Sequence, residues 1–417
     1  MSEQPYAWYV GIDWASESHQ VCVLDGAGAL AGERAFEHTG PGLAALAEWL
    51  LEVTGAGPEH IAVAIEVPRG AVVESLVERG FAVFALNPKQ LDRFRDRHTV
   101  AGAKDDRRDA LVLGDSLRTD QPAFWPVRPD DPHIVELREL SRLADELQQE
   151  TRRLANRLRD QLLRFYPQLL PLCPAADEPW LWALLSQAPT PAEGQGLSPR
   201  ALARLLQAHR IRRLTPEAVH AALQIPPLPV QPGTVAAART HISLLLPRLR
   251  LVHEQRGRIE QHIEVLLAAV GSEEGIEGPR PEHRDVEILR SLPGIGRLVA
   301  ATLLGEAAQP LAARDYDTVR ALAGAAPVTK KSGKRRVVSM RYACHQRVRQ
   351  AVYHWARVSV QCDEHSQWHY RALRARGHNH ARALRGVADR LLGILIAMLK
   401  TGTLYDPMRR RVATQTA

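Results

Sequence analysis

Short apolar runs in the first quarter of the chain predict β-strands rather than helices. IAVAI (61–65) is too short for a helix and rich in β-branched residues, and FAVFAL (81–86) is similar. Further upstream, WYVGIDWA (8–15) and HQVCVLD (19–25) predict two strands joined by a turn, and ERAFEHTG (33–40) predicts a third. The pattern therefore begins with three strands in a meander.

Helices are predicted after the third, fourth and fifth strands, over 42–53, over 71–79 and in KDDRRDALVLGDSL (104–117). The resulting order, β-β-β-α-β-α-β-α, is that of the ribonuclease H-like (RuvC-like) α/β fold. A plain doubly wound α/β fold would alternate from its first strand. We therefore predict a ribonuclease H-like domain at the start of the chain.

Four carboxylates stand where this fold would bring them together. Asp13 lies in the first predicted strand and Glu66 in the fourth, and a lone charge in an apolar strand is costly unless a partner meets it. Asp106 and Asp109 are three residues apart, which places their Cβ atoms roughly 5–6 Å apart on one helix face. Such a set can form a Mg²⁺ site that acts on phosphodiesters, where paired metal ions lie about 3.5–4 Å apart.

Each acid also has an ordinary explanation. The chain carries 47 Asp and Glu residues, most of which are expected on the solvated surface. Asp105 and Asp106, ahead of Arg107 and Arg108, could mark no more than a helix N-terminus with favourable charges. Charges in two apolar strands together with a helical pair favour a metal site, but they leave the choice between Asp105 and Asp106 open.

Several prolines between 122 and 132 mark a break, after which the chain is strongly helical. Residues at alternating steps of three and four then predict a coiled coil, used for dimerisation or for an antiparallel helix pair. They are Leu137, Leu140, Ala144, Leu147, Thr151, Leu154 and Leu158. The alternative is an amphipathic helix packed within its own chain. A second helix over 234–269 could return along the first, and the proline-rich segment 167–232 between them predicts a small helical subdomain.

Residues 285–306 predict two helices joined by the turn LPGIG, the signature of a helix-hairpin-helix. Gly294 and Gly296 would let another backbone approach closely, and N–H groups at the start of the second helix could hold a phosphate. Two glycines in a turn are also ordinary between helices. We expect sequence-independent contact with a DNA backbone here.

A basic segment follows, and Ser332 lies within it in KKSGKRR. A serine that attacks a phosphodiester needs nearby cations to stabilise the transition state. The cations that surround this serine are Lys330, Lys331, Lys334, Arg335 and Arg336. By residue type alone, a serine–glycine turn in a basic loop is more often a DNA-contacting loop than a nucleophile. The residues that suit phosphate contact and base stacking further on are Arg341, Arg347 and Arg349, with Tyr353, Trp355 and Tyr370 interleaved.

The distribution of charge supports a polyanionic partner. Residues 318–417 contain 20 Lys or Arg and four Asp or Glu, a net charge of +16. Because the whole chain carries +7, the remainder is at −9. A strongly basic C-terminal part joined to an acidic front part favours nucleic acid as the partner.

Other sequence features bear on location. There is no apolar stretch of about 18 residues, and the N-terminus lacks the pattern of a signal peptide. The four cysteines are scattered without CxxC spacing, which predicts neither a disulfide framework nor a zinc site. We therefore expect a cytoplasmic protein without a membrane span, and the segments compared next with a known family imply a bacterial, nucleoid-associated one.

Together these segments resemble the transposases and recombinases of bacterial insertion sequences that join a RuvC-like DEDD domain to a serine-bearing C-terminal domain. Pilin-gene invertases belong to the same group. The matching segments are GIDWA, AIEVPRG, KDDRRDA, LPGIG followed by Glu306, AGAAPVTKKSGK and RVRQAVYHWA. The resemblance covers nearly the whole chain and is weakest over 167–232.

The resemblance implies a DEDD metal site for Mg²⁺, with Mn²⁺ as the alternative ion. Its ligands would be Asp13, Glu66, Asp106 and Asp109. It also implies that Ser332 is the nucleophile of DNA strand exchange through a covalent phosphoserine. Further implied partners are donor and target DNA, a structured non-coding guide RNA, and other copies of the chain in homodimers and tetramers.

We accordingly predict three domains and one principal function. The domains are 1–125 (RuvC-like), 126–275 (coiled coil with the 167–232 insertion) and 276–417 (helix-hairpin-helix and serine-bearing domain). The principal function is a transposase or site-specific DNA recombinase with a composite site. One alternative is a RuvC-type metal-dependent junction nuclease in which Ser332 only contacts DNA. The other is a non-catalytic coiled-coil nucleic-acid-binding protein.

Overall fold

The structure is a computed structural model, which describes residues 6–66, 69–86, 91, 94, 105–127, 131–272, 281–332 and 335–408. The chain divides into two compact units, Met1–Asp130 and Asp131–Ala417. The expected boundary near residue 275 falls inside the second unit, and the division of that unit into two domains stays a prediction.

A mixed sheet forms the centre of the first unit, with the strand order β3-β2-β1-β4-β5-β6. Strands β1, β2 and β3 form an antiparallel meander, β4 and β5 continue the sheet parallel to β1, and β6 is a short antiparallel edge. The strands are β1 (Trp8–Asp13), β2 (Ser18–Asp25), β3 (Leu30–Glu37), β4 (Ile61–Ile65), β5 (Ala82–Ala85) and β6 (Trp125–Pro126). This mixed sheet is consistent with the predicted RuvC-like α/β arrangement.

Helices cover both faces of this sheet. They are α1 (Gly40–Thr54), α2 (Ala71–Glu78) and α3 (Asp106–Asp120). Because side chains alternate along a strand, Val10 and Ile12 of β1 enter the core that contains α1 and α2, whereas Tyr9 enters the core that contains α3. Gly11 and Asp13 share the parity of Tyr9, so both lie on the α3 face of the sheet.

The second unit is mainly helical and contains one two-stranded hairpin. Its long helices are α4 (Pro132–Phe165) and α9 (Pro232–Ser272). Between them lie α5 (Pro179–Gln187), α6 (Pro191–Gln195), α7 (Pro199–Ala208) and α8 (Pro216–Leu223). After them follow α10 (Pro281–Ser291), α11 (Arg297–Glu306), α12 (Ala308–Ala312), α13 (Tyr316–Leu322), β7 (Val328–Ser332), β8 (Arg335–Ser339), α14 (Gln346–Cys362), α15 (Glu364–Ala375) and α16 (His380–Thr401).

The two long helices pack along each other in opposite directions. Leu137, near the start of α4, shares a core with Ile263, near the end of α9. Leu158, near the end of α4, shares a second core with Ile242, near the start of α9. All seven residues of the predicted heptad seam are buried or half-buried within the unit. The seam is therefore covered by the chain itself, and a coiled coil between chains stays a prediction.

The proline-rich insertion folds because its prolines begin helices. Each of α6, α7 and α8 has proline in its first turn, where a missing N–H costs nothing. The preceding Thr190, Ser198 and Thr215 each accept a backbone N–H as the N-cap. The predicted small helical subdomain is thus observed, and it packs on the core at the end of α4.

Candidate active site

The first strand and helix α3 touch through their backbones. A Cβ atom built on Gly11 would lie 1.9 Å from the carbonyl oxygen of Ala110 and 2.5 Å from the nitrogen of Gly114. A real Cβ atom cannot be accommodated at such distances, so glycine at position 11 is what permits the close approach. At the other end of α3, the guanidinium of Arg118 lies 3.0 Å from the corresponding position at Gly28. Helix α3 therefore runs antiparallel to β1, with its first turn towards the carboxyl end of that strand.

Strand register places Asp13 beside Glu66. Ile12 pairs with Ile65 across the parallel strands β1 and β4. Asp13 directly follows Ile12, and Glu66 directly follows Ile65. The carboxyl ends of adjacent parallel strands lie about 4.8 Å apart. Ala64 belongs to the core on the α3 face, so Glu66, two residues later, has the parity of that face. Both acids are half-buried.

The first turn of α3 carries the other two acids, and the structure distinguishes Asp105 from Asp106. The Asp105 carboxylate accepts the backbone N–H of Arg107 at 3.2 Å and caps the helix. Asp106 is exposed at the first helical position, and Asp109 is buried at 3% exposure. Asp105 therefore has a structural task, and Asp106 and Asp109 are the acids on the helix itself.

Arg107 lies between Asp106 and Asp109 in the sequence, and its side chain pairs with an acid of β3. Arg107 donates both Nε and Nη2 to Glu33 of β3, the latter at 2.9 Å. This hydrogen bond lowers the pKa of Glu33, and Gln20 adds a second donor at 2.8 Å. The Arg107 guanidinium thus pairs with β3.

The four carboxylates offer only oxygen atoms, the donors that Mg²⁺ and Mn²⁺ prefer. Backbone placement brings all four towards the carboxyl ends of β1 and β4 on one face of the sheet. Among the described residues, however, no three of the four have oxygens within 4.8 Å of one another. The donor set fits a hard divalent cation by its chemistry, and the side chains as placed do not yet form a cluster of three ligands.

Ser332 lies at the tip of a basic hairpin rather than in an open loop. It is the last residue of β7, it is exposed, and it pairs with Arg335, the first residue of β8. Lys330 and Lys331 precede it and are also exposed. Lys334 lies outside the described residues, and Arg336 pairs with Lys331 through the backbone. The hydroxyl is therefore presented to solvent among basic residues.

The arginines beyond the hairpin have contacts within the chain. Arg347 lies 3.9 Å from Asp145 and 3.7 Å from Glu146, both on α4. Arg349 donates to the carbonyl oxygen of Arg341, and the Nε of Arg341 donates to that of Ala326 at 3.4 Å. The base-stacking prediction for Trp355 is wrong, because this side chain is fully buried and its indole N–H donates to the Pro293 carbonyl oxygen at 3.0 Å.

The two glycines of LPGIG differ in their surroundings. Gly294 has a positive φ of 82°, and a Cβ there would lie 2.7 Å from the Ser359 hydroxyl, so this glycine serves packing against α14. Gly296 is the exposed N-cap of α11, with no atom near a Cβ position among those described. Contact with a phosphate at this turn stays a prediction, and the geometry favours Gly296 for it.

The sequence did not indicate one buried ion pair. Glu306 at the end of α11 has a side chain only 4% exposed, and it accepts two hydrogen bonds from Arg142 of α4, at 2.7 and 2.9 Å. Arg138, one turn earlier on α4, donates to the Gly305 carbonyl oxygen at 2.6 Å. The i,i+4 spacing of the two arginines places them on one face of α4, but it does not indicate the acid that pairs with Arg142. The two arginines join α4 to the end of α11.

A further group with metal-ligand chemistry lies in the insertion. Atoms of Cys173, Asp177 and Glu178 fall within 4.8 Å of one another. Arg213 already pairs with Glu178, and burial raises the pKa of the Cys173 thiol to about 11. A neutral thiol and a paired carboxylate are poor ligands, so we do not assign a metal to this group.

Comparison with known proteins identifies the family. Residues 10–167 match a family model described as "Transposase", and residues 286–371 match one described as "Transposase IS116/IS110/IS902 family". A protein of Streptomyces coelicolor, "Mini-circle putative transposase for IS117", is 31% identical over 98% of both chains. The "Insertion element IS110 uncharacterized 43.6 kDa protein" of the same organism is 28% identical over 95% of both.

A third relative shows higher identity over a shorter length. "Putative transposase y4uE" of Sinorhizobium fredii is 51% identical over 51% of this chain and 59% of its own. The chain belongs to the IS110/IS116 family of transposases and is a DNA transposase that acts in DNA recombination. Within the described residues, no helix is long and apolar enough to cross a membrane.

Proposed function

We propose that this transposase cuts and rejoins DNA through a serine–phosphodiester intermediate, assisted by a divalent cation at the DEDD acids. The observation that carries the proposal is a pair of placements. Asp13 and Glu66 follow the paired residues Ile12 and Ile65 of two parallel strands, with Asp106 and Asp109 in the first turn of α3, and Ser332 is exposed at the tip of a basic hairpin. In the proposal both sets of groups act on the same phosphodiester.

The covalent step exchanges one ester for another. The Oγ–P bond to Ser332 forms as a P–O bond to one deoxyribose breaks. The proton of the serine hydroxyl passes to a general base, and the released sugar oxygen takes up a proton. Attack by a second sugar hydroxyl reverses these changes and releases the serine. Because the number of phosphoester bonds is conserved, rejoining needs no ATP.

The side chains of this protein would bind and orient the scissile phosphate. Lys330 and Lys331, next to Ser332, would stabilise negative charge on the phosphate oxygens. The DEDD carboxylates would hold Mg²⁺ or Mn²⁺, which when bound polarises a phosphoryl oxygen and neutralises developing charge. Asp109, the buried acid of the four, would be fixed in position by the contact of α3 with β1.

The test is a covalent adduct between the protein and DNA. Wild-type protein incubated with Mg²⁺ and a nicked DNA that carries an element end should give an adduct stable to denaturant, and Ser332→Ala should give none. Ser339→Ala is the matched control, because Ser339 is in the same hairpin and its hydroxyl donates a hydrogen bond to the carbonyl oxygen of Val328 at 3.4 Å. An adduct with Ser332→Ala would refute the nucleophile assignment.

A metal-dependent junction nuclease is the second candidate. It is favoured by the fact that the four acids belong to one unit and Ser332 to the other. The acids alone could then activate water, and Ser332 would only contact DNA. This candidate predicts cleaved ends that carry no protein. Membership of a transposase family favours an enzyme over the non-catalytic binding protein.

We also propose a guide RNA and a homo-oligomer. The RNA is supported by the resemblance and by the +16 charge of residues 318–417. Loss of activity after ribonuclease treatment, restored by the element's own transcript, would test it.

The oligomer is supported by Leu244, Leu251 and Val265, which are 66%, 54% and 60% exposed on α9 and separated by multiples of seven residues. Replacing Leu251 with Glu should lower the mass measured by light scattering, and an unchanged mass would refute this interface.

A further inference from the structure

A cavity of about 410 Å³ lies next to the serine hairpin in the second unit. Its walls come mainly from α14 and α16, with one residue from α4. Ala325, shortly before β7, and Met340, directly after β8, complete it. The volume falls in the lower part of the range for pockets that hold small organic ligands.

The lining of this cavity combines an apolar floor with cations. Val352, Leu384 and Ala388 form buried apolar surface, while Arg152 and Arg385 bring guanidinium groups to the same space. A ligand that fits must therefore present both a flat or apolar part and a negative charge. Neither a simple anion nor a purely apolar molecule uses both surfaces.

Arg349 also lines the cavity, together with Arg152 and Arg385, and the guanidinium groups of the latter two differ in exposure. Arg385 is half-buried on α16, and Arg152 is exposed on α4. Throughout the part of the chain that the structure describes, neither arginine is paired with a carboxylate. An anionic ligand in the cavity would therefore find guanidinium donors that are not engaged by a carboxylate.

An aromatic ring completes the lining. Tyr353 of α14 is half-buried at the cavity, and its ring makes an edge contact with the ring of His354 at 5.9 Å between centroids. Aromatic rings stack on nucleobases of any sequence, and arginines bind the adjoining phosphates. The cavity therefore offers each surface that one nucleotide requires.

We propose that this cavity binds one unstacked nucleotide of a single DNA strand. The base would lie against Val352, Leu384 and Tyr353, and its phosphate would contact Arg152 and Arg385. The volume suits one base with its sugar phosphate and is too small for a base pair. The inference rests on the proposed function only in taking DNA as the ligand, and it assigns to the hairpin's neighbourhood a site that holds a displaced strand.

The test fills the cavity without disturbing the core. Ala381 is an exposed residue that lines the cavity near the start of α16, so Ala381→Phe would occupy the space of the base. Ala397→Phe is the matched control, because Ala397 is exposed on the same helix about 24 Å away. Arg385→Gln removes a phosphate contact instead. Thermal unfolding of each full-length variant shows whether it folds.

Binding of a fluorescent oligothymidine and of a DNA duplex should be measured by anisotropy. We expect Ala381→Phe and Arg385→Gln each to weaken binding of the single strand about tenfold while duplex binding stays within twofold. Ala397→Phe should bind both probes like the wild type. If folded Ala381→Phe binds the single strand as tightly as Ala397→Phe does, the proposal is wrong.

Two further arms identify the source of the nucleotide. Photocrosslinking of an oligonucleotide that carries one 5-iododeoxyuridine should place the crosslink on Tyr353 or Met340. Free thymidine monophosphate should compete only weakly. Tight binding of the free nucleotide, or crosslinking by an RNA strand alone, would overturn the assignment to a DNA strand.

The outcomes separate this inference from the proposed function. If the cavity variants keep full single-strand affinity and also form the Ser332 adduct, the cavity proposal alone is refuted. If the cavity variants bind the single strand more weakly and wild-type protein forms no Ser332 adduct, the serine mechanism alone is refuted.

Discussion

Gly11 of β1 and Ala110 of α3 are in backbone contact, and a methyl group added at Gly11 would lie 1.9 Å from the Ala110 carbonyl oxygen. Asp13 lies two residues beyond Gly11, and Asp109 directly precedes Ala110. The distance between strand and helix therefore also sets the distance between two of the proposed metal ligands. The same contact serves packing and the candidate site.

Adding a methyl group at Gly11 should destabilise the first unit. We expect Gly11→Ala to lower the free energy of unfolding by about 3 kcal/mol, because α3 must move away from β1. Gly40→Ala is the control, since nothing lies within 4 Å of a Cβ at that position. Urea unfolding followed by circular dichroism measures both. Equal stability of the two variants would show that the contact is not tight in solution.

Asp105 and Asp106 should respond differently to the loss of charge. Asn caps helices as well as Asp does, so Asp105→Asn should retain strand-exchange activity within a few-fold. Asp106→Asn should lower strand-exchange activity at least about 100-fold. Mutation of residues that only hydrogen-bond to a metal ligand already costs typically about 10–100-fold in activity or metal affinity. Calorimetry with Mn²⁺ should show weaker binding for Asp106→Asn only. The reverse order of effects would move the ligand to Asp105.

The Glu306–Arg142 pair should make stability depend on pH in the acid range. Burial opposes ionisation of Glu306, but the hydrogen bonds and charge of Arg142 outweigh it and lower the pKa of this carboxyl. A carboxyl with a depressed pKa in the folded state stabilises above its unfolded pKa of about 4.3 and loses that contribution as the pH falls through the folded pKa.

Removing one partner of this pair should therefore be costly at neutral pH. We expect Arg142→Ala to cost about 3–5 kcal/mol at pH 7, because a buried carboxylate loses the guanidinium that donates two hydrogen bonds to it. The difference in unfolding free energy from wild type should shrink below about pH 4, where Glu306 becomes protonated. A difference that stays constant between pH 7 and pH 3 would show that Glu306 carries no charge in the folded protein.

Binding to DNA should depend steeply on salt. If 6–10 of the C-terminal cations contact phosphates, affinity should fall about 10³–10⁵-fold between 50 and 200 mM salt. Lys330→Gln and Lys331→Gln should each reduce the salt slope by about one. Lys400→Gln, at the end of α16, is the control. A flat salt response would remove the hairpin and its surroundings from the DNA interface.

The sequence predicted much of the first unit because its signals are local. Alternating and β-branched runs set the strands, and the three-strand meander set the order of the sheet. The expectation that Asp13 and Glu66 lie close together came from the predicted fold, and the first and fourth strands are indeed neighbours. The contact at Gly11 could not be predicted, because it depends on the distance between two elements about 100 residues apart.

The second unit shows where sequence patterns leave alternatives open. The heptad positions of α4 predicted burial correctly, but a heptad does not state whether the partner helix belongs to the same chain. Trp355 fitted a base-stacking pattern, yet it is completely buried in the core of the second unit. Arg142 pairs with Glu306, 164 residues away, which no local spacing can show.

The central claim is that the DEDD acids and Ser332 act on the same phosphodiester. The most direct test is the yield of the Ser332–DNA adduct, mapped to its peptide by mass spectrometry, in wild type and in Asp13→Asn, with Mg²⁺ and with EDTA. We expect an adduct on Ser332 only for wild type with Mg²⁺. An adduct of equal yield in Asp13→Asn, or in EDTA, would contradict the central claim.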